Sequence, residues 1–188
     1  MSETMRDFIR TIQDGNGDVF VQENEAMCDH TTFRIGGPAD VYVEPATEEA
    51  IRRVMAEAAK RNIRTIVIGR GSNLLFDDAG FRGAVISTAR LRCIRVEGNT
   101  LYAGAGASLN ACANAACEAG LTGMEFAFGI PGSVGGAVFM NAGAYGGQLS
   151  DVIRSVTAIL PNGEVAVLPC DELELGYRHS IFMKNEAI

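Results

Sequence analysis

Lysine is almost missing from this chain: Lys60 and Lys184 stand against fourteen arginines. The 23 acidic residues outnumber the 16 basic ones, for a net charge of −7. A chain of that sign repels a nucleic-acid backbone, and no basic cluster with interleaved aromatics offsets it, so no nucleic-acid partner is expected. No apolar run reaches the roughly eighteen residues a membrane helix needs, so no membrane insertion is expected. The N-terminal MSETMRDFIRTIQD is charged throughout and lacks the apolar centre of a signal peptide, which predicts a cytoplasmic protein. There is no tryptophan, and the two histidines, His30 and His179, lie far apart. Neither H-E-x-x-H nor any Cys/His constellation occurs, so no metal site is expected. The five cysteines, at 28, 93, 112, 117 and 170, include no C-x-x-C. They read as small buried apolar residues of a reducing compartment.

Catalytic side chains are scarce too. Gly132-Ser133-Val134-Gly135-Gly136 misses the G-x-S-x-G nucleophile pattern, because Pro131 stands two residues before the serine. No paired carboxylates can be placed. What remains is a globular composition, 47% apolar and 21% charged over 188 residues, with 22 glycines.

The apolar spacing predicts a helix over 5–14 ended by Gly15-Asn16-Gly17, then a short extended piece over 19–24. Asp40–Glu44 alternates as a strand, Thr47 caps a helix with Ile51, Val54, Met55, Ala58 and Ala59 on one face, and Arg64–Ile68 reads as a buried strand. That order predicts a βαβ unit with a parallel pair. Ala84–Ser87 adds a strand. Cys93–Val96 and Thr100–Ala103 form a hairpin across Glu97-Gly98-Asn99, and Ser108 caps a small-residue helix closed by Gly120. A second hairpin joins Ile153–Leu160 to Glu164–Leu168 across Pro161-Asn162-Gly163, with one helical turn expected at 171–175. The fold class is α+β in two lobes.

The glycines cluster where such folds bind ligands. Gly69-Arg70-Gly71-Ser72-Asn73-Leu74 follows a parallel strand at its C-terminal end. It is not a P-loop, since no G-K-S/T follows, and Leu74 breaks the dinucleotide fingerprint. It reads either as a phosphate cradle, with Ser72 and Asn73 as side-chain donors, or as a plain connection. Gly104-Ala105-Gly106 ends another strand. The stretch Gly129–Gly147, GIPGSVGGAVFMNAGAYGG, carries apolar anchors between its glycines and reads as an ordered loop: a ligand wall or a packing corner. Loops of this kind suit main-chain contact with a cofactor that performs the chemistry. Arg178 beside Tyr177 is a candidate for a carboxylate or a surface ion pair.

Four stretches carry a resemblance: HTTFRIGGPAD at 30–40, IGRGSNLLFDDAGFRGAVI at 68–86, GLTGMEFAFGIPGSVGGAVFMNAGAYGG at 120–147 and GYRHSIF at 176–182. Their order and spacing resemble the UDP-N-acetylenolpyruvoylglucosamine reductase family, in its shorter type. The resemblance implies the two-lobed FAD-binding fold of the vanillyl-alcohol oxidase type. The lobes would run 21–88 and 89–188 after a lead-in over 1–20. It implies FAD as bound cofactor and NADPH as hydride donor. Gly69, Arg70, Gly71, Ser72, Asn73 and Leu74 would wrap the pyrophosphate, with Arg34, Gly36, Gly37, Gly104 and Gly106 near the cofactor. Pro131, Gly132, Ser133, Gly135, Gly136, Asn141 and Gly143 would line the flavin. Tyr145 and Tyr177 would face the substrate, and Arg178 matches the family's catalytic arginine. The implied reaction gives a hydride from reduced flavin to C3 of UDP-N-acetylglucosamine enolpyruvate, and protonation at C2 yields UDP-N-acetylmuramate for peptidoglycan synthesis. The family's proton-donor Ser or Cys motif and late Glu do not occur in these 188 residues, so the chain is expected to be the FAD-binding part, inactive alone. The alternatives are another FAD-dependent oxidase or dehydrogenase on the same module, or a non-catalytic fragment.

Overall fold

The computed structural model describes residues 2–14 and 17–184. The chain divides into two compact units, Met1–Leu91 and Arg92–Ile188.

In the first unit, α1 (Glu3–Gln13) starts at Ser2, whose hydroxyl accepts the Met5 N–H, and buries Met5, Phe8, Ile9 and Ile12. The stop expected at Gly15-Asn16 lies outside the described residues. β1 (Val19–Ala26) outruns the expected 19–24 piece because it pairs antiparallel along β2 (Pro38–Pro45). α2 (Glu48–Lys60) is capped as expected: the Thr47 hydroxyl accepts the Ala50 N–H at 3.0 Å. Its buried Ala50, Ile51, Val54 and Ala58 face inward, and it packs against α1. β3 (Thr65–Ile68) and β4 (Phe81–Ser87) complete a sheet of order β1-β2-β4-β3. β2 and β3 are parallel but not a pair, because β4 lies between them and runs parallel to both. Ala84, Val85 and Ile86 of β4 are fully buried, so it fills the centre. β3 takes the edge, where Thr65, Ile66 and Val67 stay half-buried rather than buried.

In the second unit, β5 (Ile94–Glu97) and β6 (Thr100–Ala103) form the expected hairpin, turning at Gly98 with φ +55°. α3 (Leu109–Glu118) follows. Ser108 occupies its N-cap, but the hydroxyl makes no capping bond, contrary to the sequence reading. A second departure lies inside the glycine-rich stretch, where α4 (Val134–Met140) replaces the expected loop. Two adjacent glycines hide this helix from sequence reading, since each costs about 1 kcal/mol of helix propensity. Burial of Ala137 and Val138 and a cap from Ser133, whose hydroxyl accepts the Gly136 N–H at 3.4 Å, sustain it. β7 (Gly143–Ala144) and β8 (Gly147–Gln148) form a short ribbon, and β9 (Ser155–Ile159) and β10 (Val165–Pro169) the predicted hairpin. A 3-10 turn at Cys170–Glu172 stands where a helical turn over 171–175 is expected. Leu109, Phe126, Val138, Leu149, Leu173 and Phe182 centre the core of this unit.

The cysteines only partly match their expected burial. Cys112 is buried, Cys28 and Cys170 are half-buried, and Cys93 and Cys117 are exposed; all five are free thiols. Burial pushes the Cys112 thiol up to about 11.

Candidate functional site

The predicted site residues of the first unit come together around one loop. Between β1 and β2 the chain folds back on itself, Met27 N–H bonding Gly37 O and Cys28 N–H bonding Gly36 O. The tip of this excursion carries Arg34, exposed and held at φ +54°. Thr32 N–H then bonds Gly71 O, and Gly37 N–H bonds Asp77 O, so this excursion and the 69–77 loop form one surface.

Glycine is required here by packing. A Cβ on Gly71, at φ +62°, would stand 2.0 Å from His30 O; one on Gly37 would stand 1.9 Å from Asp78 O. The loop that results keeps its donors. Among the described residues, the N–H groups of Arg70, Gly71, Ser72 and Asn73 donate to no protein atom, nor do the Ser72 and Asn73 side chains. Arg34 and Arg70 form no ion pair among the described residues. Behind the loop, His30 stacks on Tyr42 with ring centroids 4.0 Å apart and shares a 2.7 Å contact with Glu25. Burial first, and the bond to Glu44 second, raise the Tyr42 phenol well above its ordinary range.

The second unit builds a platform and two turns. Leu109 N–H bonds Gly132 O, Val134 N–H bonds Ala107 O, and Gly135 N–H bonds Ala105 O. These bonds join the Gly104–Ser108 loop to the start of α4, so Gly104, Gly106 and the 131–136 segment share one surface. Ser133 is buried there as the helix cap. The N–H groups of Ala105 and Gly106 donate to no protein atom among the described residues.

The first turn joins β7 to β8 through Tyr145 and Gly146, with φ +52° and +85°. Positive φ at both central positions is the two-residue hairpin turn in which Asn-Gly is favoured. Here a tyrosine occupies the first place and is 94% exposed, so nothing inside the protein holds the ring there. It borders a cavity of about 580 Å³ lined also by Glu125, Phe126 and Asp151. The second turn runs Gly176–His179, with N–H to O bonds of 3.1 and 3.2 Å in both directions. Tyr177, 91% exposed, and Arg178, at φ +51°, occupy its tip. The Arg178 guanidinium lies 5.7 Å from the Tyr177 ring centroid and forms no ion pair among the described residues. The surface-ion-pair reading therefore has no support.

Asn141 ties the turns to α4. It is buried, ends α4 in the left-handed region, and its Nδ2 donates to Gln148 Oε1 at 3.2 Å and to Gly176 O at 3.0 Å. Its Oδ1 accepts the Ser150 N–H at 3.0 Å. Ser180, fully buried, donates to Phe139 O at 2.7 Å and adds a second tether beside Arg178. Sequence reading passes over Ser180; its signal, a serine two residues past Arg178, is too common to single out.

A family model described as an FAD binding domain matches residues 39–168. The chain belongs to the FAD binding domain family. The fold recurs in a crystal structure of UDP-N-acetylenolpyruvylglucosamine reductase from Thermus caldophilus. Its TM-score is 0.75 at 35% identity, covering 86% of this chain and 57% of that one. It also recurs in a BBE-like 1 protein of Physcomitrella patens, with TM-score 0.64 at 16% identity over 86% of this chain and 37% of that one; this second likeness speaks to fold alone. By sequence, the chain is 47% identical over 165 residues to the UDP-N-acetylenolpyruvoylglucosamine reductase of Clostridium novyi, covering 88% of this chain and 54% of that protein. The chain thus spans little more than half the length of the curated relatives it matches. The expected two-lobed FAD-binding fold of this flavoenzyme class stands. Within this FAD binding domain, a row of free main-chain N–H groups at 70–73 beside the uncommitted Arg34 and Arg70 fits an anionic group such as the FAD pyrophosphate. Among the described residues no helix is long and apolar enough to cross a membrane.

Proposed function

We propose that this chain is the FAD-binding part of a cytoplasmic, NADPH-dependent reductase acting on UDP-N-acetylglucosamine enolpyruvate. The reaction forms UDP-N-acetylmuramate for peptidoglycan. The observation that carries the substrate assignment is Arg178, a cation with no ion pair among the described residues, held in the left-handed region on a doubly tethered turn. Strained backbone that keeps a large exposed side chain where glycine would be easier marks a position whose side chain is used. The 47% identity to a named reductase supports the same reading.

In the first unit, the N–H groups of Arg70–Asn73 hold the pyrophosphate, with Gly69, Leu74, Gly36 and Gly37 shaping the loop and Arg34 adding positive charge. In the second, Gly104, Gly106 and the Pro131, Gly132, Ser133, Gly135 and Gly136 backbone line the flavin ring. Asn141 and Gly143 contribute main chain, since the Asn141 side chain is already engaged. The chemistry supplied by bound FAD is hydride transfer between NADPH and the enolpyruvyl group. Arg178 binds the substrate carboxylate and stabilises negative charge that develops beside it; a fixed cation contributes more to such a transition state than to the ground state. Tyr177 and Tyr145 face the substrate.

The test is a titration of the FAD-saturated protein with UDP-N-acetylglucosamine enolpyruvate, followed by flavin absorbance. The parent perturbs the flavin bands saturably, and Arg178→Ala weakens binding about tenfold, the scale of a lost charge-assisted pair. No flavin binding at any FAD concentration, or substrate affinity indifferent to Arg178→Ala, sinks the reading.

A further inference from the structure

Both turns of the second unit hold a bulky residue at positive φ: Tyr145 at +52° and Arg178 at +51°. Left-handed backbone is unfavourable for a residue with a Cβ, so a hold from outside the turn favours this shape beyond what the turns' own bonds supply. One side chain reaches both. Asn141 spends its two amide hydrogens on Gln148, in the strand that leaves the Tyr145 turn, and on the Gly176 carbonyl, which opens the Arg178 turn. Its oxygen takes the Ser150 N–H. The amide has one possible orientation, because a main-chain carbonyl demands the nitrogen and a main-chain N–H demands the oxygen. Asn141 is itself at φ +41°, a conformation asparagine tolerates well, and its side chain is buried.

We infer that Asn141 is a positioning residue: its buried amide fixes the 176–179 turn, and so aims the Arg178 guanidinium, while bracing the Tyr145 turn through Gln148. The inference rests on the reading of Arg178 as the substrate cation. It adds that an asparagine whose side-chain bonds all go to protein partners governs that interaction, and that an aspartate cannot replace it. Aspartate would still accept from Ser150. It has no hydrogen to give the Gly176 carbonyl, so Asn141→Asp cuts the tie to the Arg178 turn. It also loosens the brace on the Tyr145 turn, because Gln148 could donate to the aspartate only by turning its nitrogen away from Asp151.

The experiment compares the parent, Asn141→Asp, Arg178→Ala and the double variant, all saturated with FAD. It reads hydrogen exchange at the His179 amide and affinity for UDP-N-acetylglucosamine enolpyruvate. Expected are at least about tenfold faster His179 exchange in Asn141→Asp and a loss of affinity approaching that of Arg178→Ala. The double variant should be no weaker than Arg178→Ala alone, as expected of residues acting through one interaction. Parent-like affinity in Asn141→Asp beside a weakened Arg178→Ala overturns the positioning role and leaves the Arg178 reading standing. Parent-like affinity in Arg178→Ala overturns both. Should Asn141→Asp fail to fold, the unmodified protein decides. A His179 amide protected about a hundredfold or more against an unstructured peptide supports an anchored turn, and exchange at the unstructured rate refutes it.

Discussion

The 69–74 loop of the first unit and the two turns of the second solve opposite problems. In the loop, a side chain is excluded at Gly71 and at its partner Gly37, because main chain lies within about 2 Å of where a Cβ would sit. Among the described residues, the N–H groups of Arg70–Asn73 in this loop donate to no protein atom. In the turns, glycine would fit the backbone better than the residues present, yet Tyr145 and Arg178 are there with side chains exposed. Glycine richness is thus a poor measure of function by itself. The glycines of the loop are demanded by packing and leave main-chain donors free, whereas the turns keep non-glycine residues at a cost in backbone strain.

The comparison breaks most sharply at Gly71→Ala. A methyl group against His30 O at positive φ should destabilise the first unit by about 3 kcal/mol and abolish FAD binding, read as a lower urea midpoint and no flavin-dependent shift in melting. A parent-like melt would mean that the loop tolerates a side chain and the contrast is false. On the other side, Arg178→Gly should be more stable than Arg178→Ala by about 1 kcal/mol, because glycine releases the left-handed strain that alanine keeps. Equal denaturation midpoints for the two would remove the strain from the account. Ser133→Ala deletes the cap of α4 and should cost about 1 kcal/mol, seen as a shifted denaturation midpoint. An unchanged midpoint would show that α4 is held by burial alone.

The smallest effect sharpens the picture by standing away from both sites. Hydrogen bonding to Arg61 holds the Glu57 carboxyl below its usual range. A lowered folded value means stability present above the ordinary carboxylate range and lost as pH falls through the lowered one. The pair should contribute about 0.5 kcal/mol at pH 7 and nothing at strongly acid pH, so urea midpoints of the parent and Glu57→Gln should converge on acidification.

Local chemistry made much of this legible. The Thr47 cap of α2, the turn at Gly98, and the second hairpin at 161–163 depend on neighbours a few residues away, and each forms where its pattern indicates. The apolar face of α2 forms through Ile51, Val54 and Ala58, whereas Met55 is half-buried and Ala59, expected on that face, is exposed. The motif residues of the site were legible as candidates too, and the structure gathers them into one surface in the first unit and a platform with two turns in the second.

The rest depends on partners distant in the chain. β4 enters between β2 and β3 because its fully buried Ala-Val-Ile run suits the sheet centre, a choice no local period encodes. α4 forms through Gly135-Gly136 because burial and the Ser133 cap outweigh propensity. The role of Asn141 is a matter of reach, since its partner Gly176 lies 35 residues away. By itself the sequence determined which residues carry donors, charge and turn chemistry, because those are properties of a residue and its immediate neighbours. Only the tertiary structure decided which glycines are packed and which turns are strained and tethered, because those depend on atoms brought close across the chain.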